Sequence, residues 1–403
     1  DRLDPRAGVM LQVIWFDLGP DTPGRLLLTV HHLVVDGVSW RVLVPDLAEA
    51  YSELAAGREV VLEPVPTSFR HWARALRTEA TGQQRLAELP TWTQLLDGQD
   101  PLLTSRPVDP ERDLGATVRQ LSVKVSTEVT SALLTSVPTA FHAGVDDVLL
   151  TGLTAALAEW RRRRGQDTAG VLLDIEGHGR VPLAEGVDLT RTVGWFTSSY
   201  PVRLDIGVVD VMELRSGGAA AGRAIKRVKE QLRAVPGDGL GHGLLRHLNP
   251  ETAPALAALP TAQIGFNYLG RFPGHQNQGS QGQQPAEQHA WQTAGDGGRG
   301  GGTNDRIPVM HALEVMGVVH DLSDGPRLTL IVSWPSELLT ESAARSLLDG
   351  WAAMLTGLAM HTTDVDGDTD IGGHTPSDFP LVDISQSELD EFEATAQQMD
   401  EGA

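Results

Sequence analysis

The stretch from residue 25 to residue 54, RLLLTVHHLVVDGVSWRVLVPDLAEAYSEL, contains the clearest change of pattern in the chain. Residues 25–32 are a short apolar run with a β-branched end, which predicts a buried strand, and the VVDG that follows is a turn signal. Ser39 is a candidate N-cap for a helix beyond the turn, and Pro45 is expected to kink that helix or delay its start. The apolar positions of this predicted helix are Leu43, Leu47, Tyr51 and Leu54.

The rest of the chain continues this alternation of strands and helices. Strand patterns occur at 118–125, 171–176 and 325–334, and helical patterns occur at 68–98 and 146–163. Strands alternating with helices of this length predict a layered α/β architecture. A length of 403 residues is two to three times that of a typical domain, so we expect two lobes.

The composition excludes several classes of function. Acidic residues outnumber basic ones by 53 to 32, so nucleic acid and anionic membranes are not expected partners. The absence of cysteine excludes disulfides, thiolate nucleophiles and cysteine-containing zinc sites. No apolar run is long enough to span a membrane. The chain begins without an initiator Met or a signal-peptide pattern, and we expect it to be part of a longer cytoplasmic polypeptide.

Two segments differ in composition from the rest. Between residues 273 and 303, 16 of 31 residues are Gly or Gln, which predicts a flexible loop. Its GGRGGGT sequence lacks the GK[ST] ending of a phosphate-binding loop, so nucleotide binding is not expected. Residues 361–403 contain twelve carboxylates and no Lys or Arg, which predicts an acidic linker towards another domain.

The HHLVVDG sequence offers the first candidate for chemistry. If His31 and His32 lie on a strand they point to opposite faces, so only one of them can face a given cleft. Asp36 is a turn residue in the simplest interpretation, but it can also orient a histidine or form an ion pair. The spacing alone does not decide between these roles.

The DIEGHGR sequence offers a second candidate. Glu176 ends an apolar strand and enters a Gly-His-Gly turn that contains His178. A carboxyl group in that position is either a solvent-facing strand end or an acid/base group at the edge of a cleft. His178 is a possible second titrating group.

Three further residues stand out along the chain. Trp195 lies in RTVGWFTSSYPV, where a packing role in the core under a loop is the simplest interpretation. Asn267 and Tyr268 are polar residues in the otherwise apolar strand IGFNYLGRF, so they either hydrogen-bond locally or face a site. The Gly-rich PGDGLGHG sequence is most simply a connection between two elements.

Taken together and in this order, the motifs resemble those of epimerization domains of nonribosomal peptide synthetases, which belong to the condensation-domain superfamily. The resemblance extends from about residue 8 to residue 382. HHxxxDG is shared with condensation domains, whereas EGHGR, RTVGWFT and FNYLG together point to the epimerization branch. The matching segments are HHLVVDGVSW (31–40), EGHGR (176–180), RTVGWFTSSYPV (191–202), PGDGLGHG (236–243) and FNYLG (266–270).

The resemblance implies an α/β fold of two chloramphenicol-acetyltransferase-like lobes, which form a V with an active-site tunnel between them. Residues 1–110 would be the remainder of the N-terminal lobe and 111–365 the C-terminal lobe, with 366–403 as the acidic linker. The family's N-terminal PIQxWF-like signature is absent, so we expect the first lobe to be N-terminally truncated.

The resemblance also implies roles for individual residues. His32 and Glu176 would be the paired acid/base groups, while His31 would be structural. Asp36 would be a structural acid that pairs with Arg180. The remaining supporting or tunnel-lining positions are Asn267, Tyr268 and Trp195.

The implied activity is epimerization, from L to D, of the Cα of an aminoacyl or peptidyl thioester. The substrate would arrive on the phosphopantetheine arm of an upstream peptidyl carrier domain, and a downstream condensation domain is expected. The domain itself would need no metal or organic cofactor. Two alternatives remain open: a condensation domain that forms a peptide bond, and a non-catalytic module that docks carrier domains.

Overall fold

A computed structural model describes most of the chain. The described residues are 3–98, 100–166, 170–177, 179–183, 186–237, 239–273, 291, 305–363, 372–382 and 384–401. The predicted flexible loop at 273–303 lies outside these residues, apart from Pro273 and Trp291.

The N-terminal part of the chain forms a small two-stranded sheet and one long helix. Strands β1 (Leu11–Phe16) and β2 (Arg25–Val30) pair antiparallel, and helix α1 (Trp40–Ala55) follows β2 after a short turn. The predicted strand and helix are therefore both present. Pro45 lies inside α1, so the expectation that it could delay the helix start is wrong.

Two more helices connect this part to the rest of the molecule. The amphipathic segment predicted at 68–98 is divided into α2 (Phe69–Glu79) and α3 (Gln83–Leu96). Ser68 caps α2 by accepting a hydrogen bond from the backbone N–H of His71. Gly82 separates the two helices at the start of α3.

The remainder of the chain is built around a six-stranded mixed sheet. The strands lie in the order β3-β8-β7-β6-β4-β5; β6 pairs parallel with β4 and β7, and the other neighbours are antiparallel. The strands are β3 (Val118–Lys124), β4 (Gly170–Gly177), β5 (Ser198–Asp205), β6 (Ile264–Pro273), β7 (Leu313–Leu322) and β8 (Gly325–Pro335).

Helices cover one face of this sheet and bury the main core. Trp351 is fully buried there, where its Nε1 donates to the carbonyl of Leu149 at 3.1 Å. Among the described residues, no helix is both long and apolar enough to cross a membrane. The helices of this part of the chain, of which α9, α10 and α12 contribute no residue to that main core, are α4 (Thr127–Leu134), α5 (Ser136–Ala140), α6 (Val145–Arg162), α7 (Val211–Arg215), α8 (Ala219–Arg233), α9 (Leu240–Gly243), α10 (Ala253–Ala257), α11 (Glu341–Thr363) and α12 (Gln386–Glu401).

Side chains on β4 alternate between the two faces of the sheet. Leu173 and Ile175 belong to the main core, so Leu172, Asp174 and Glu176 lie on the opposite face, which we call the outer face. Leu172 is covered there by a second apolar cluster that includes residues of α3 and α10. The carboxylates of Asp174 and Glu176 are therefore placed on the outer face by strand alternation.

The acidic C-terminal segment is ion-paired with helix α8. Lys229 of α8 is 1% exposed and donates to both carboxylate oxygens of Asp378 at 2.7 Å. Lys226, also on α8, is ion-paired with Asp390 and Glu393 of α12. Acids of residues 372–382 and 384–401 thus pair with two of the chain's three lysines, and the role of this segment as a linker towards another domain stays a prediction. We call these two segments the docked tail.

Candidate active site

The His-His pair lies at the end of β2 rather than within it. β2 ends at Val30, and His32 begins a single 3₁₀ turn that runs to Val34. His31 precedes this turn and accepts a hydrogen bond from the backbone N–H of Leu33 through Nδ1, at 3.2 Å. Strand alternation therefore does not apply to this pair, contrary to expectation, and His31 acts locally as the cap of the turn that carries His32.

The ring of His32 rests on an indole. Its centroid lies 4.7 Å from that of Trp195, with the two planes tilted by 51°. Trp195 is 42% exposed, so the interpretation of this residue as core packing is wrong. Its neighbour Phe196 is buried instead and packs against Trp72 of α2 at a centroid distance of 4.7 Å.

Asp36 is buried among hydrogen-bond donors. Its Oδ1 accepts from both the backbone N–H and the hydroxyl of Ser39 at 2.7 Å, and its Oδ2 accepts from the backbone N–H of Phe196 at 3.3 Å. Burial alone would raise the pKa of Asp36, but the hydrogen bonds from Ser39 and the charge of Arg180 hold it below its ordinary value. Ser39 precedes α1 but makes no side-chain cap hydrogen bond to it.

Arg180 joins the histidine turn to the segment that follows β4. One amino group, Nη2, lies 3.0 Å from Oδ1 of Asp36, and the other donates to the carbonyls of Leu189 and Thr192. The guanidinium carbon also lies 4.2 Å from the ring centroid of Phe196. The ion pair that the resemblance implied is thus present, and it connects two segments 144 residues apart.

Glu176 lies near the end of β4 with its side chain exposed on the outer face. The amide Nδ2 of Asn267, on the neighbouring strand β6, donates a hydrogen bond to Oε2 of Glu176. This contact fixes one orientation of the carboxylate. The other candidate from the same motif, His178, lies outside the described residues.

Asn267 and Tyr268 are separated by the sheet. Because adjacent residues of a strand face opposite ways, Asn267 lies on the outer face, while Tyr268 packs against the main core. Burial, assisted by the charge of Asp146, raises the pKa of Tyr268 to about 12. Asn267 therefore lies on the outer face with Glu176 and Tyr268 does not, while the assignment of both residues to a substrate tunnel stays a prediction.

Both motifs contact the segment that enters β5. Glu176 pairs with Ser199 across the β4–β5 ladder, and Trp195, on which His32 rests, is four residues before Ser199. Four residues span at most about 14 Å of extended chain. The structure therefore brings the support of His32 and the strand partner of Glu176 into one short segment, 195–199.

A second polar cluster lies on the outer face, and sequence reasoning missed it. The ring of His311 contacts two carboxylates, with Nε2 2.9 Å from Asp174 and Nδ1 2.7 Å from Glu314. Burial alone would lower the pKa of His311, but the two carboxylates raise it to about 10, so the ring is protonated near neutral pH. Gly265 provides the space, because a Cβ there would lie 2.7 Å from Nδ1 of His311. The sequence signal for this cluster was the three-residue spacing of His311 and Glu314.

The fold and the paired motifs define a mixed α/β protein of the condensation type. Residues 6–295 match the family described as Condensation domain, and the chain belongs to that family. The predicted fold class is confirmed by its similarity to the crystal structure of the epimerization domain from the third module of tyrocidine synthetase B. That similarity has a TM-score of 0.70 and 30% identity, and covers 89% of this chain and 73% of that one.

Curated relatives are much longer proteins. The chain is 37% identical to one of the linear gramicidin synthase proteins of Brevibacillus parabrevis over 393 residues, which are 97% of this chain and 5% of that protein. It is 30% identical to tyrocidine synthase 1 of the same organism over 91% of this chain and 32% of that protein. The X-domain from teicoplanin biosynthesis, at 20% identity and a TM-score of 0.58, shares the fold, and the similarity covers 89% of this chain and 75% of that one.

Proposed function

We propose that this chain epimerizes the Cα of an aminoacyl or peptidyl thioester during nonribosomal peptide synthesis. The observation that carries the proposal is the arrangement of two acid/base groups around segment 195–199. Asn267 holds the carboxylate of Glu176, whose partner across the β4–β5 ladder is Ser199, and Trp195 supports the imidazole of His32. Acyl transfer to an amine requires one base, whereas inversion at carbon uses two groups.

The chemistry suits a thioester. Sulfur donates electrons poorly into the carbonyl, so the enolate formed by loss of the Cα proton is less disfavoured than that of an amide. One group takes the Cα proton, and the electron pair of the C–H bond moves onto the carbonyl oxygen. The second group then delivers a proton to the opposite face as the carbonyl re-forms. Both groups then exchange protons with the solvent, and this exchange restores their starting protonation states.

Glu176 and His32 exchange roles with the direction of the reaction. The group that acts as base for the L substrate acts as acid for the D substrate, since the reverse path uses the same two positions. Each positioned acid or base of this kind contributes a factor of about 10²–10⁴ to the rate. Asn267 is a positioning residue, because it orients the carboxylate without itself accepting the proton.

The surrounding structure supports these positions. His31 caps the turn of His32, and the Asp36–Arg180 pair attaches that turn to the chain beyond Glu176. A shift of either attachment would move one reacting group relative to the other. An error of about 1 Å in such an arrangement can cost about 10² in rate.

The proposal assigns the partners as well. The substrate arrives on the phosphopantetheine arm of an upstream carrier domain, and a downstream condensation domain uses the product in the cytoplasm. The size of the curated relatives, of which this chain spans 5% in one case, supports a place within a longer synthetase. We retain 1–110 and 111–365 as the proposed parts of the two lobes.

Acyl transfer is the second candidate function, because the matching family is described as Condensation domain and HHxxxDG is common to both activities. The distinguishing experiment uses the full polypeptide that contains this chain, with its carrier domain loaded with an L-aminoacyl group in deuterated water. Epimerization predicts deuterium at Cα and mixed chirality without an acceptor. Consumption of unexchanged substrate only when an acceptor amine is supplied would instead establish condensation, and no reaction in either case would indicate a docking module.

A further inference from the structure

A row of side chains crosses the outer face of the sheet through Glu176. The register places Asn267 of β6 beside Met316 of β7, Met316 opposite Ile331 of β8, and Ile331 opposite Ser122 of β3. Directly opposed residues in a sheet have Cβ atoms about 4.5–5.5 Å apart. Across the strands, the amide of Asn267 that holds the catalytic carboxylate therefore lies next to Met316, and Met316 lies next to Ile331.

These two apolar side chains are not part of the main core. Val315 and Val332, which adjoin them along their strands, are buried in that core on the other face of the sheet. Met316 and Ile331 face away from it and are only half-buried. They therefore present apolar surface on the same face as Glu176.

The neighbouring row towards the start of β4 is filled by the charged cluster. Asp174 and Glu314 lie two residues before Glu176 and Met316 along their strands. Both ring nitrogens of His311 between them are engaged by carboxylates, and His311 is 8% exposed. A substrate side chain placed beside Glu176 is therefore bordered by a closed charged row towards the start of β4, while the row of Glu176 itself continues past Asn267 to Met316 and Ile331.

We infer that Met316 and Ile331 form the subsite for the α side chain of the substrate residue, and that this side chain is apolar. The inference rests on the proposed function, since it places the Cα of the thioester beside Glu176. Apolar pockets discriminate modestly between substrates. Each substrate methylene that gains or loses contact with the pocket changes kcat/KM by about tenfold or more. Substrate residues of the leucine or phenylalanine class are expected to react faster than alanine, aspartate or lysine.

The test uses the full polypeptide with its carrier domain loaded in turn with leucine, alanine, aspartate and lysine, and measures deuterium incorporation at Cα. For the native protein we expect kcat/KM for leucine to exceed that for aspartate or lysine by at least about tenfold. Met316→Ala should lower the leucine-to-alanine ratio by about tenfold. Ile331→Ala is the second variant, and Met212→Ala, at an exposed methionine of α7, is the matched control.

The outcomes separate the inference from the proposed function. Equal rates for leucine and lysine, or an unchanged leucine-to-alanine ratio in both alanine variants, would overturn the inference while leaving epimerization intact. Absence of exchange with every loaded residue in the native protein would overturn both. Because Met316 and Ile331 lie outside the main core, circular dichroism should show that both variants remain folded.

Discussion

The N-terminal hairpin and the six-stranded sheet are built from similar strand patterns but differ in what covers them. In the hairpin region, which we define as residues 9–62, Trp15 is 60% exposed even though it lies on a strand. In the six-stranded region, Trp351 is fully buried between a helix and the sheet. The apolar residues that are exposed on β1 are Leu11, Val13, Ile14, Trp15 and Phe16.

This difference shows that a strand pattern determines local conformation but not burial. A two-stranded hairpin has marginal stability in water unless something packs against it. Within the described residues, the hairpin region is attached to the rest of the fold by a buried polar junction in which Asp36 and Ser39 bind Arg180, Gly194 and Phe196. His32 belongs to the lightly covered region and Glu176 to the well-packed one, so the proposed reaction depends on that junction.

The largest expected contrast is in stability. Trp351→Ala removes a fully buried indole and should lower the free energy of unfolding by about 3–5 kcal/mol. Trp15→Ala removes an indole that is mostly exposed and should cost less than about 1 kcal/mol. Urea unfolding of the two variants measures the difference. Similar losses in both would mean that the hairpin is as tightly packed as the sheet.

The second prediction concerns the junction. Asp36→Ala leaves the guanidinium of Arg180 largely buried without its partner, which should cost about 3 kcal/mol. Because only the junction is lost, backbone hydrogen exchange should rise in residues 25–55 and change little in residues 313–358. The matched control is Glu337→Ala, which removes the partner of Arg112 in an exposed pair and should cost less than about 1 kcal/mol. Uniformly faster exchange in both regions would contradict this account.

The third and smallest prediction concerns the pH dependence of the docked tail, which is attached to α8 in the well-packed region. The pKa of Asp378 is held below its ordinary value because hydrogen bonds and the charge of Lys229 outweigh burial, and that of Glu393 is lowered in the same way by His374 and Lys226. Their contributions are present at neutral pH and are lost as the pH falls below about 4. Hydrogen exchange in α12, corrected for intrinsic rate, should therefore rise on acidification. Asp378→Asn should weaken this response, and an acid-insensitive tail in the native chain would disprove the assignment.

The sequence predicted local elements well and long-range placement less well. The strand at 25–32 and the helix at 146–163 are present within two residues of their predicted bounds, because apolar periodicity is a local property. The error over Trp195 arose because the exposure of its side chain depends on its contact with the distant turn that carries His32. His311 was missed because one of its partners, Asp174 of β4, lies 137 residues away in the sequence, and only Glu314 is close to it along the chain.

The placement of Asn267 and Tyr268 shows a second limit of sequence-based prediction. Both residues were expected to line one site because they match positions of the family's motif, yet strand alternation sends adjacent side chains to opposite faces. The same rule correctly groups Asp174 with Glu176. A prediction of the site from sequence therefore needs the strand period as well as the motif.

The most direct measurement of the central claim is Cα deuterium exchange on a loaded carrier domain with Glu176→Gln in the full polypeptide. Glutamine keeps the size of the side chain but can no longer take or deliver the proton, so exchange should fall by at least about 10²-fold. Glu337→Gln, at an exposed surface pair, should exchange at the native rate. Near-native exchange in Glu176→Gln would contradict the account, since the reaction would then not require the carboxylate that Asn267 holds on the outer face.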